Sequence, residues 1–283
     1  MGIKVYKILS FTDNKDGGNP AGVVFDADNF SEEIMKNIAF KVGASETAFV
    51  SKSEKADFKV RFFTPVEEVN LCGHATIATF FLMSEKGMIN PGIYTQETKA
   101  GLLKIVCDDS GEIFMDQNIP VFYGIIDKKE IAEALGITQE NISGKYSPEI
   151  VSTGLKDIII PVKSFEILNN LKPDYEKISQ ICRKNDSAGF HVFCTDRTGY
   201  DASCRNFAPH LGIKEEAATG TASGALAAYI IKNKIYNGKF SFTFEQGYAM
   251  KKPSVIKAVI QYNKSFERIQ VGGRAFSESE TEI

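Results

Sequence analysis

The sequence is poor in the residues that build metal sites and disulfide frameworks. It contains three histidines in 283 residues and no H-E-x-x-H pattern, so we expect no dedicated metal site. Its five cysteines are odd in number and lack C-x-x-C spacing, which argues against a disulfide scaffold and against a zinc motif. Unpaired cysteines are typical of a reducing compartment, so we expect a cytoplasmic protein.

The signatures of nucleotide binding and of serine hydrolases are also missing. No G-x-G-x-x-G follows a predicted strand, and no G-x-x-x-x-G-K-[ST] loop or G-x-S-x-G elbow occurs. The sequence therefore favours unassisted acid–base chemistry that requires no cofactor.

Charge and hydropathy exclude two further classes of partner. The net charge is -3, and no long block of lysine or arginine suggests nucleic-acid binding. The most apolar stretches, Ala75–Met83 and Ala222–Ile231, are shorter than the roughly 20 residues that a bilayer-spanning helix needs. The first residues lack the apolar run of a signal peptide. We therefore expect a small-molecule ligand and neither a nucleic acid nor a membrane.

What the sequence does contain is a series of short β-like runs and two unusually apolar helical stretches. The stretches His74–Lys86 and Thr221–Lys234 are apolar on nearly all sides in their first two turns, which is typical of a helix surrounded by protein. Many short strands and one buried helix in each half predict an α+β fold, with two sheets each curled around its own helix. The predicted strands are Lys4–Leu9, Gly22–Phe25, Thr47–Val50, Phe58–Phe63, Leu103–Cys107, Glu112–Met115, Ile158–Val162, Phe190–Cys194, Ala202–Phe207, Phe240–Phe244, Val255–Ile260 and Arg268–Gly272.

Helix-boundary residues support further helices. Ser31 precedes two glutamates and is a suitable N-cap, and Asp174–Arg183 is a short amphipathic candidate. Gly87 follows the first apolar helix, where glycine commonly ends a helix.

An internal repeat divides the chain into two halves. Phe63-Thr64-Pro65 is followed by Gly73-His74-Ala75, and Phe207-Ala208-Pro209 is followed by Gly220-Thr221-Ala222. Each copy therefore has a strand, an F-x-P turn, a polar loop and G-x-A at a helix start, which indicates duplication of a whole domain. We expect an N-terminal domain of residues 1–118 with 274–283 and a C-terminal domain of residues 119–273.

The two helix starts are the best candidates for a binding site. A helix N-terminus offers unsatisfied N–H groups to an anion, and small residues such as Gly73 and Gly220 allow a ligand to approach the backbone. The alternative is that the glycines serve only tight turns and close packing. For the pair we favour a function: one site between Cys72–Thr76 and Thr219–Ser223 for a small carboxylated molecule.

Four side chains near these segments are candidates for chemistry. We expect His74, close to backbone donors, to stay neutral and to hydrogen-bond a ligand, unless it only packs the turn. Cys72 is a candidate acid or base, but its counterpart Thr219 argues against a mechanism with two thiols. Glu46 lies between small and apolar residues, which predicts a raised pKa suited to proton transfer. Glu216 precedes the second helix start, where its alternative role is a favourable interaction with the helix dipole.

Taken in order, these segments resemble the PhzF-like (phenazine biosynthesis-like) proteins, which share the diaminopimelate epimerase fold. The segments that carry the resemblance are Gly18-Asn19-Pro20-Ala21-Gly22, Ser45-Glu46-Thr47-Ala48-Phe49, Arg61-Phe62-Phe63-Thr64-Pro65, Cys72-Gly73-His74-Ala75-Thr76, Val151-Ser152-Thr153-Gly154-Leu155, Ala218-Thr219-Gly220-Thr221-Ala222-Ser223-Gly224 and Gly272-Gly273-Arg274-Ala275.

The resemblance implies two similar domains, each a barrel-like, mostly antiparallel sheet around a central helix, with the active site in the cleft between them. It also implies an isomerase without a cofactor, often a homodimer, whose characterised reaction moves a proton between ring carbons of trans-2,3-dihydro-3-hydroxyanthranilate. Glu46 matches the family's catalytic acid. Gly73 and His74 match residues that hold the substrate, and Thr221 falls where the family usually has serine.

One departure from the family pattern bears on the substrate. The family usually reads Glu-Asp-Pro-Ala-Thr-Gly-Ser-Ala, whereas this chain reads Glu215-Glu216-Ala217-Ala218-Thr219-Gly220-Thr221-Ala222. Glu216 therefore replaces a substrate-binding aspartate, and Ala217 replaces a proline that stiffens the turn. This departure predicts a different or larger substrate, or a weakened reaction.

Three hypotheses follow. The first is an isomerase in which Glu46 shuttles a proton while Gly73, His74, Glu216, Gly220 and Thr221 hold the substrate. The second is an epimerase or racemase that acts through Cys72. The third is a binding protein that has kept the cleft and lost turnover.

Overall fold

The computed structural model describes residues 2–283, and the chain divides into two compact units. Unit 1 comprises Met1–Asp116 and Gly272–Ile283, and unit 2 comprises Gln117–Val271. The sequence placed these divisions at 118/119 and 273/274, close to where the units meet along the chain.

Unit 1 contains nine strands and two helices among the described residues. They are β1 (Lys4–Ser10), β2 (Asn19–Val24), α1 (Glu32–Val42), β3 (Glu46–Ser51), β4 (Phe58–Phe63), β5 (Glu68–Val69), α2 (Gly73–Glu85), β6 (Gly92–Thr98), β7 (Gly101–Cys107), β8 (Ile113–Gln117) and β18 (Ala275–Glu282). The strand order is β18-β1-β2-β3-β4-β6-β7-β8, with the short β5 paired to β4. The pairs β2–β3 and β4–β6 are parallel and the others are antiparallel.

Unit 2 contains the remaining nine strands and four helices. They are β9 (Val121–Ile125), α3 (Lys128–Leu135), β10 (Glu149–Ser152), β11 (Lys156–Pro161), α4 (Phe165–Asn169), α5 (Tyr175–Lys184), β12 (Gly189–Cys194), β13 (Ala202–Ala208), β14 (Ile213–Glu216), α6 (Gly220–Lys232), β15 (Ser241–Gln246), β16 (Ser254–Tyr262) and β17 (Phe266–Gly273), with 3₁₀ turns at Gln139–Asn141, Pro209–Leu211 and Tyr248–Met250. The order β9-β10-β11-β12-β13-β15-β16 is parallel at β11–β12 and β13–β15, and β14 pairs with β13.

The pairing pattern is the same in both units. Strands β1-β2-β3-β4-β6-β7 alternate antiparallel, parallel, antiparallel, parallel and antiparallel, as do β10-β11-β12-β13-β15-β16. A short strand, β5 or β14, leads into the apolar helix in each case. The predicted α+β fold of two pseudo-repeated halves is confirmed.

The two apolar helices are enclosed by strands of their own units. Helix α2 contacts β1, β2, β3, β7 and β18, while α6 contacts β10, β11 and β16. Every residue of α2 from His74 to Phe80 is buried, as is every residue of α6 from Ala222 to Ile230. Two consecutive turns that are buried on all sides place each helix in the interior of its unit.

The helix boundaries predicted at Ser31 and Gly87 are confirmed, and the helix predicted over Asp174–Arg183 is α5, with Asp174 as its N-cap. The Ser31 side chain accepts a hydrogen bond from the Ile34 backbone N–H at 3.3 Å, and Asp174 accepts one from Lys177 at 3.1 Å. Gly87 has φ +68° just beyond α2, a left-handed conformation that favours glycine. Each cap satisfies backbone groups that the helix itself leaves unpaired.

Several elements were not predicted from the sequence: β5, β6, β9, β10, β14, β18, α3 and α4. Strand β18 shows the physical reason. Its sequence AFSESETE has no alternating apolar face, and its last five residues are exposed. It is a strand because its backbone pairs with β1 from Ala275 to Glu282, a partner that lies about 270 residues away in the sequence.

No helix among residues 2–283 combines the length and the apolarity required to cross a bilayer. All five cysteines are buried and unpaired with one another.

A bidentate ion pair supports the strand before each apolar helix. In unit 1, Arg61 on β4 donates from Nε and Nη2 to the two carboxylate oxygens of Glu68 on β5, at 2.8 and 2.9 Å. In unit 2, Arg205 on β13 makes the same two bonds to Glu215 on β14, both at 2.8 Å. We call these pairs the arginine clamps.

In each clamp the arginine also contacts an aromatic ring. The guanidinium carbon of Arg61 lies 5.0 Å from the centroid of the Phe63 ring, and that of Arg205 lies 5.0 Å from the Phe207 ring. The R-x-F spacing places the arginine and the ring on the same side of the strand, so the repeat extends to the side chains.

We expect Arg205→Met to lower the free energy of unfolding by about 3–5 kcal/mol, because it leaves the Glu215 carboxylate buried without its partner. Arg205 is 10% exposed and Glu215 13%. The double variant Arg205→Met/Glu215→Gln should regain part of the loss, because the unpaired charge is gone. Urea unfolding followed by circular dichroism measures both.

The matched control is Lys4→Met, which breaks an ion pair whose side chains are 67% and 47% exposed and should leave the free energy of unfolding almost unchanged. A loss for Arg205→Met no larger than this control would contradict the structural role of the clamp.

Candidate active site

The candidate residues of unit 1 lie where β3 and α2 begin. Glu46 is the first residue of β3 and pairs with Ala21 in the parallel register with β2. Cys72 is the N-cap residue of α2, with extended backbone angles, and no side chain caps this helix start. His74 is the second residue of the helix. Because α2 contacts β2 and β3, these three side chains meet at one end of the buried helix.

Gly73 leaves the helix start open. A Cβ placed there would make one ordinary contact, 3.5 Å from Cε of Met115. Packing therefore does not require glycine at this position, in contrast to Gly22, where a Cβ would lie 2.6 Å from Oγ1 of Thr47. This difference favours a functional role for Gly73, which leaves the backbone N–H groups of α2 accessible.

The His74 ring is surrounded by polar atoms of unit 1. Its Nε2 lies 3.3 Å from Oε2 of Glu46 and 3.4 Å from Oγ of Ser45. Its Nδ1 lies 3.4 Å from Nδ2 of Asn19 and 3.5 Å from Sγ of Cys72. The imidazole is therefore the centre of a cluster to which three separate segments of the chain contribute.

The charge state of Glu46 differs from the sequence-based expectation. Burial by itself would raise the pKa of this carboxyl, but the His74 imidazole, with smaller contributions from Ser45 and Cys72, outweighs burial and lowers the pKa below its ordinary value. The predicted raised pKa is wrong because no local pattern indicates that a histidine 28 residues further on would lie beside the carboxylate.

The expectation of a neutral His74 is wrong for the same reason. Burial disfavours the imidazolium, yet Cys72 and Glu46 together raise the pKa of His74 well above its ordinary value. Burial also raises the pKa of the Cys72 thiol, so the thiol keeps its proton at neutral pH. We therefore attribute the stabilisation of the imidazolium to the Glu46 carboxylate.

The Glu46–His74 contact is an ion pair with unused hydrogen-bonding capacity. Within residues 2–283, no N–H or O–H group is aligned to donate to the buried Oε2 atom of Glu46, although Nε2 of His74 is only 3.3 Å away. A buried carboxylate oxygen without an aligned donor is unusual in proteins.

The candidate residues of unit 2 lie at the start of α6. Glu216, the last residue of β14, accepts a hydrogen bond from the Thr219 hydroxyl at 2.5 Å. The Gln246 side chain donates to the Glu216 carbonyl at 2.9 Å and accepts from the Thr219 backbone N–H at 3.2 Å. Gly220 is buried and Thr221 is partly exposed, so the helix start is held by three polar side chains.

Three residues near these sites were not singled out from the sequence: Asn19, Ser45 and Gln246. Asn19 and Ser45 lie inside the G-N-P-A-G and S-E-T-A-F segments. These segments support the family resemblance, but the sequence assigned neither residue a role. Gln246, at the end of β15, belongs to none of the motifs identified in the sequence. Glu215, which also precedes the second helix start, binds Arg205 and belongs to the clamp.

The fold and this cluster define the class of protein: an α+β protein of two similar units, one of which carries a carboxylate–imidazole ion pair at the start of its enclosed helix. The sequence profile of the family described as "Phenazine biosynthesis-like protein" matches residues 8–281. The chain is 36% identical to an uncharacterised isomerase of Bacillus subtilis, YfhB, over 98% of this chain and 97% of that protein.

Two further comparisons identify the same protein family. A crystal structure of a PhzF-family protein from Bacillus anthracis superposes with a TM-score of 0.91, at 32% identity and with coverage of 100% of this chain and 99% of that one. A trans-2,3-dihydro-3-hydroxyanthranilate isomerase of Pseudomonas fluorescens is 29% identical over 90% of each chain. The chain belongs to the phenazine biosynthesis-like family, with its epimerase-like fold, and it is an isomerase.

We expect His74 to be the one histidine that remains protonated above the ordinary histidine pKa of about 6.5. Burial lowers the pKa of His191 to about 4, and burial with the charge of Arg183 lowers that of His210. Because the folded-state pKa of His74 is raised, its stabilising contribution is complete below pH 6.5 and is lost as pH rises through that folded-state pKa. Carbon-13 histidine NMR resolves the three titrations.

Glu46→Gln should move the His74 pKa downwards, because the burial of the imidazolium is then uncompensated. A His74 that titrates at or below 6.5 in the unsubstituted protein would contradict the ion pair.

Proposed function

We propose that this isomerase moves a proton between two carbons of a small carboxylated substrate, with Glu46 as the catalytic acid and base and without a cofactor. The observation that carries the proposal is the Glu46 Oε2 atom. It is buried, ionised by its contact with His74 and aligned with no donor among the described residues. A carboxylate held in this state at neutral pH is ready to accept a proton.

The ion pair provides a route by which substrate binding would activate the base. A substrate carboxylate that pairs with the His74 imidazolium would withdraw that charge from Glu46. Burial, which is the largest influence on Glu46, would then dominate and raise its pKa, so the carboxylate would become a stronger base only when substrate is present.

The proton balance of the reaction is simple. Glu46 takes a proton from one substrate carbon, and the electron pair of that C–H bond delocalises into the conjugated system of the substrate. The neutral carboxyl then returns the same proton to a different carbon, which regenerates the carboxylate. No oxidant, reductant or second substrate is consumed.

Substrate binding is assigned to Gly73, His74, Glu216, Gly220 and Thr221. The open start of α2 at Gly73 and the polar start of α6 each offer backbone N–H groups that suit a carboxylate. That both helix starts bind one substrate molecule stays a prediction of the sequence. A cytoplasmic location and a homodimer also stay predictions.

The substrate class is inferred from the Pseudomonas relative, whose name specifies trans-2,3-dihydro-3-hydroxyanthranilate. We propose a dihydro-hydroxyanthranilate-like substrate that differs in size or shape. The support is Glu216, whose side chain is one methylene longer than that of aspartate. Its carboxylate accepts a hydrogen bond from the Thr219 hydroxyl. Fine positioning of this kind controls the rates of proton transfer.

The alternative of an epimerase that acts through Cys72 has less support. The thiol is 3.5 Å from Nδ1 of His74, which places it near the proposed chemistry. Its raised pKa keeps it protonated, and the corresponding position in unit 2 holds Thr219. A neutral thiol at one helix start without a second thiol at the other is a poor base.

We expect Glu46→Gln to reduce kcat by about 10²–10⁴-fold, because general acid–base groups contribute that much, while the fold is retained. The assay is the exchange of substrate protons in deuterated water, followed by NMR on trans-2,3-dihydro-3-hydroxyanthranilate and related carboxylated dienes.

Two variants serve as controls for this measurement. Cys72→Ser should retain exchange, which separates the proposal from the epimerase reading, and Glu67→Gln removes an exposed carboxylate elsewhere in unit 1 and should have no effect. Full exchange in Glu46→Gln, or loss of exchange in Cys72→Ser alone, would refute the assignment of Glu46.

We expect Glu216→Asp/Ala217→Pro to raise kcat/KM on trans-2,3-dihydro-3-hydroxyanthranilate by about tenfold or more, because misplacement by about 1 Å can cost 10²-fold. The matched control is Glu216→Gln, which keeps the stem length and removes the charge, and which should lower kcat/KM. An unchanged kcat/KM in the double variant would show that these positions do not determine the substrate.

A further inference from the structure

Three side chains at the start of α2 form a set of metal-ligand atoms. One atom each of Glu46, Cys72 and His74 lies within 4.8 Å of the other two. Nε2 of His74 is 3.3 Å from Oε2 of Glu46 and 3.8 Å from Sγ of Cys72. Among residues 2–283, no second group of three such side chains lies as close together.

These separations are close to those that zinc imposes. With Zn–N and Zn–O near about 2.0 Å and Zn–S near about 2.3 Å, tetrahedral geometry puts neighbouring ligand atoms roughly 3.3–3.6 Å apart. The Nε2–Oε2 distance of 3.3 Å lies within that range, and the Nε2–Sγ distance of 3.8 Å exceeds it by about 0.2 Å. Sγ lies still closer to Nδ1, at 3.5 Å, and is therefore beside the ring and not on the lone-pair side of Nε2. Binding of one ion through Nε2 requires the imidazole and the Cys72 side chain to rotate, with the backbone unchanged.

We propose that Glu46, Cys72 and His74 bind one Zn²⁺ ion, and that the bound ion inhibits the enzyme by occupying the carboxylate that transfers the proton. The binding step goes beyond the proposed function and does not rest on it, because binding is measured directly. Only the inhibition depends on the assignment of Glu46.

The charges of the three ligands suit a divalent cation. Zinc binding displaces the proton of the Cys72 thiol and that of the His74 imidazolium to solvent. The Glu46 carboxylate and the Cys72 thiolate then neutralise the two positive charges of the ion. A neutral cluster is far cheaper to bury than separate charges. This balance offsets the positive end of the α2 dipole, which opposes a cation.

The site also has a route to solvent and an open position. The Glu46 side chain is 17% exposed, whereas that of His74 is 7% exposed, so the ion would enter past the carboxylate. Three protein ligands leave the fourth tetrahedral position for water, as in zinc sites that are not purely structural. The sequence did not predict this site because C-x-H and a remote glutamate match no zinc-binding spacing.

Direct binding to the full chain tests the proposal. Chelator-treated protein is titrated with Zn²⁺ in competition with a chromogenic chelator, and separately with Co²⁺, whose near-ultraviolet absorption reports a thiolate ligand. We expect one Zn²⁺ per chain, at least tenfold weaker binding in Cys72→Ser, and loss of the cobalt–thiolate band in that variant. Cys107→Ser, which removes another buried thiol of unit 1, should leave both readouts unchanged.

Binding in the unsubstituted protein no tighter than in Cys72→Ser, or a thiolate band that persists in Cys72→Ser, overturns the proposal. A measurement on the unsubstituted protein covers the case in which Cys72→Ser does not fold. Zn²⁺ should slow the alkylation of Cys72 at least tenfold, as followed by peptide mass spectrometry, and should leave the other four cysteines unaffected. Equal protection of all five, or of none, overturns the proposal.

The activity assay separates the binding claim from the inhibition. If the proposed function is right, Zn²⁺ abolishes proton exchange and a chelator restores it. If Zn²⁺ binds at these three residues and exchange continues, then inhibition through Glu46 is wrong while the metal site stands. If the protein shows no exchange without Zn²⁺ on any substrate tested, the proposed function fails and the binding result is still interpretable.

Discussion

Each unit depends on one constraint: a helix that is apolar on nearly every side is stable only where other protein covers it completely. Helices α2 and α6 meet that requirement with strands of their own units. The strands that cover each helix have the same order of parallel and antiparallel pairs in both units. Once the sides of the helix are covered, its N-terminus is the part whose N–H groups remain available. The position of each candidate binding site follows from that enclosure.

The same enclosure explains the electrostatics at the start of α2. His74 is buried because it belongs to the first turn of an enclosed helix, and it is charged because Glu46 lies 3.3 Å away. Each partner alone would be pushed towards its neutral form by burial. Together they hold opposite charges in a place that otherwise disfavours both, so removal of either one changes the proton affinity of the other. The proposed chemistry and the proposed zinc binding use the same coupling.

The sequence predicted the features that local pattern determines. Apolar runs identified both enclosed helices, and Gly87 marked the end of α2. Ser31 and Asp174 marked the starts of two other helices, α1 and α5. Strand β18 was missed because pairing with β1, and not its own polar sequence, makes it a strand. The sequence singled out Glu46 and His74 as candidate residues, and their roles stay predictions, but their charges were misjudged. A pKa depends on which side chains meet in space, and the 27 residues between Glu46 and His74 give no indication that they meet.

The arginine clamps occur in both units, whereas the acid does not. Glu46 is the first residue of β3 in its parallel register with β2, and the corresponding residue of β12, opposite Asp157 on β11, is Gly189. The residues that stabilise the scaffold therefore occur in both units, while the residue proposed for the chemistry occurs in one. Folding and the proposed chemistry depend on different positions in such a molecule. New substrates can then evolve at the helix starts while the architecture stays the same.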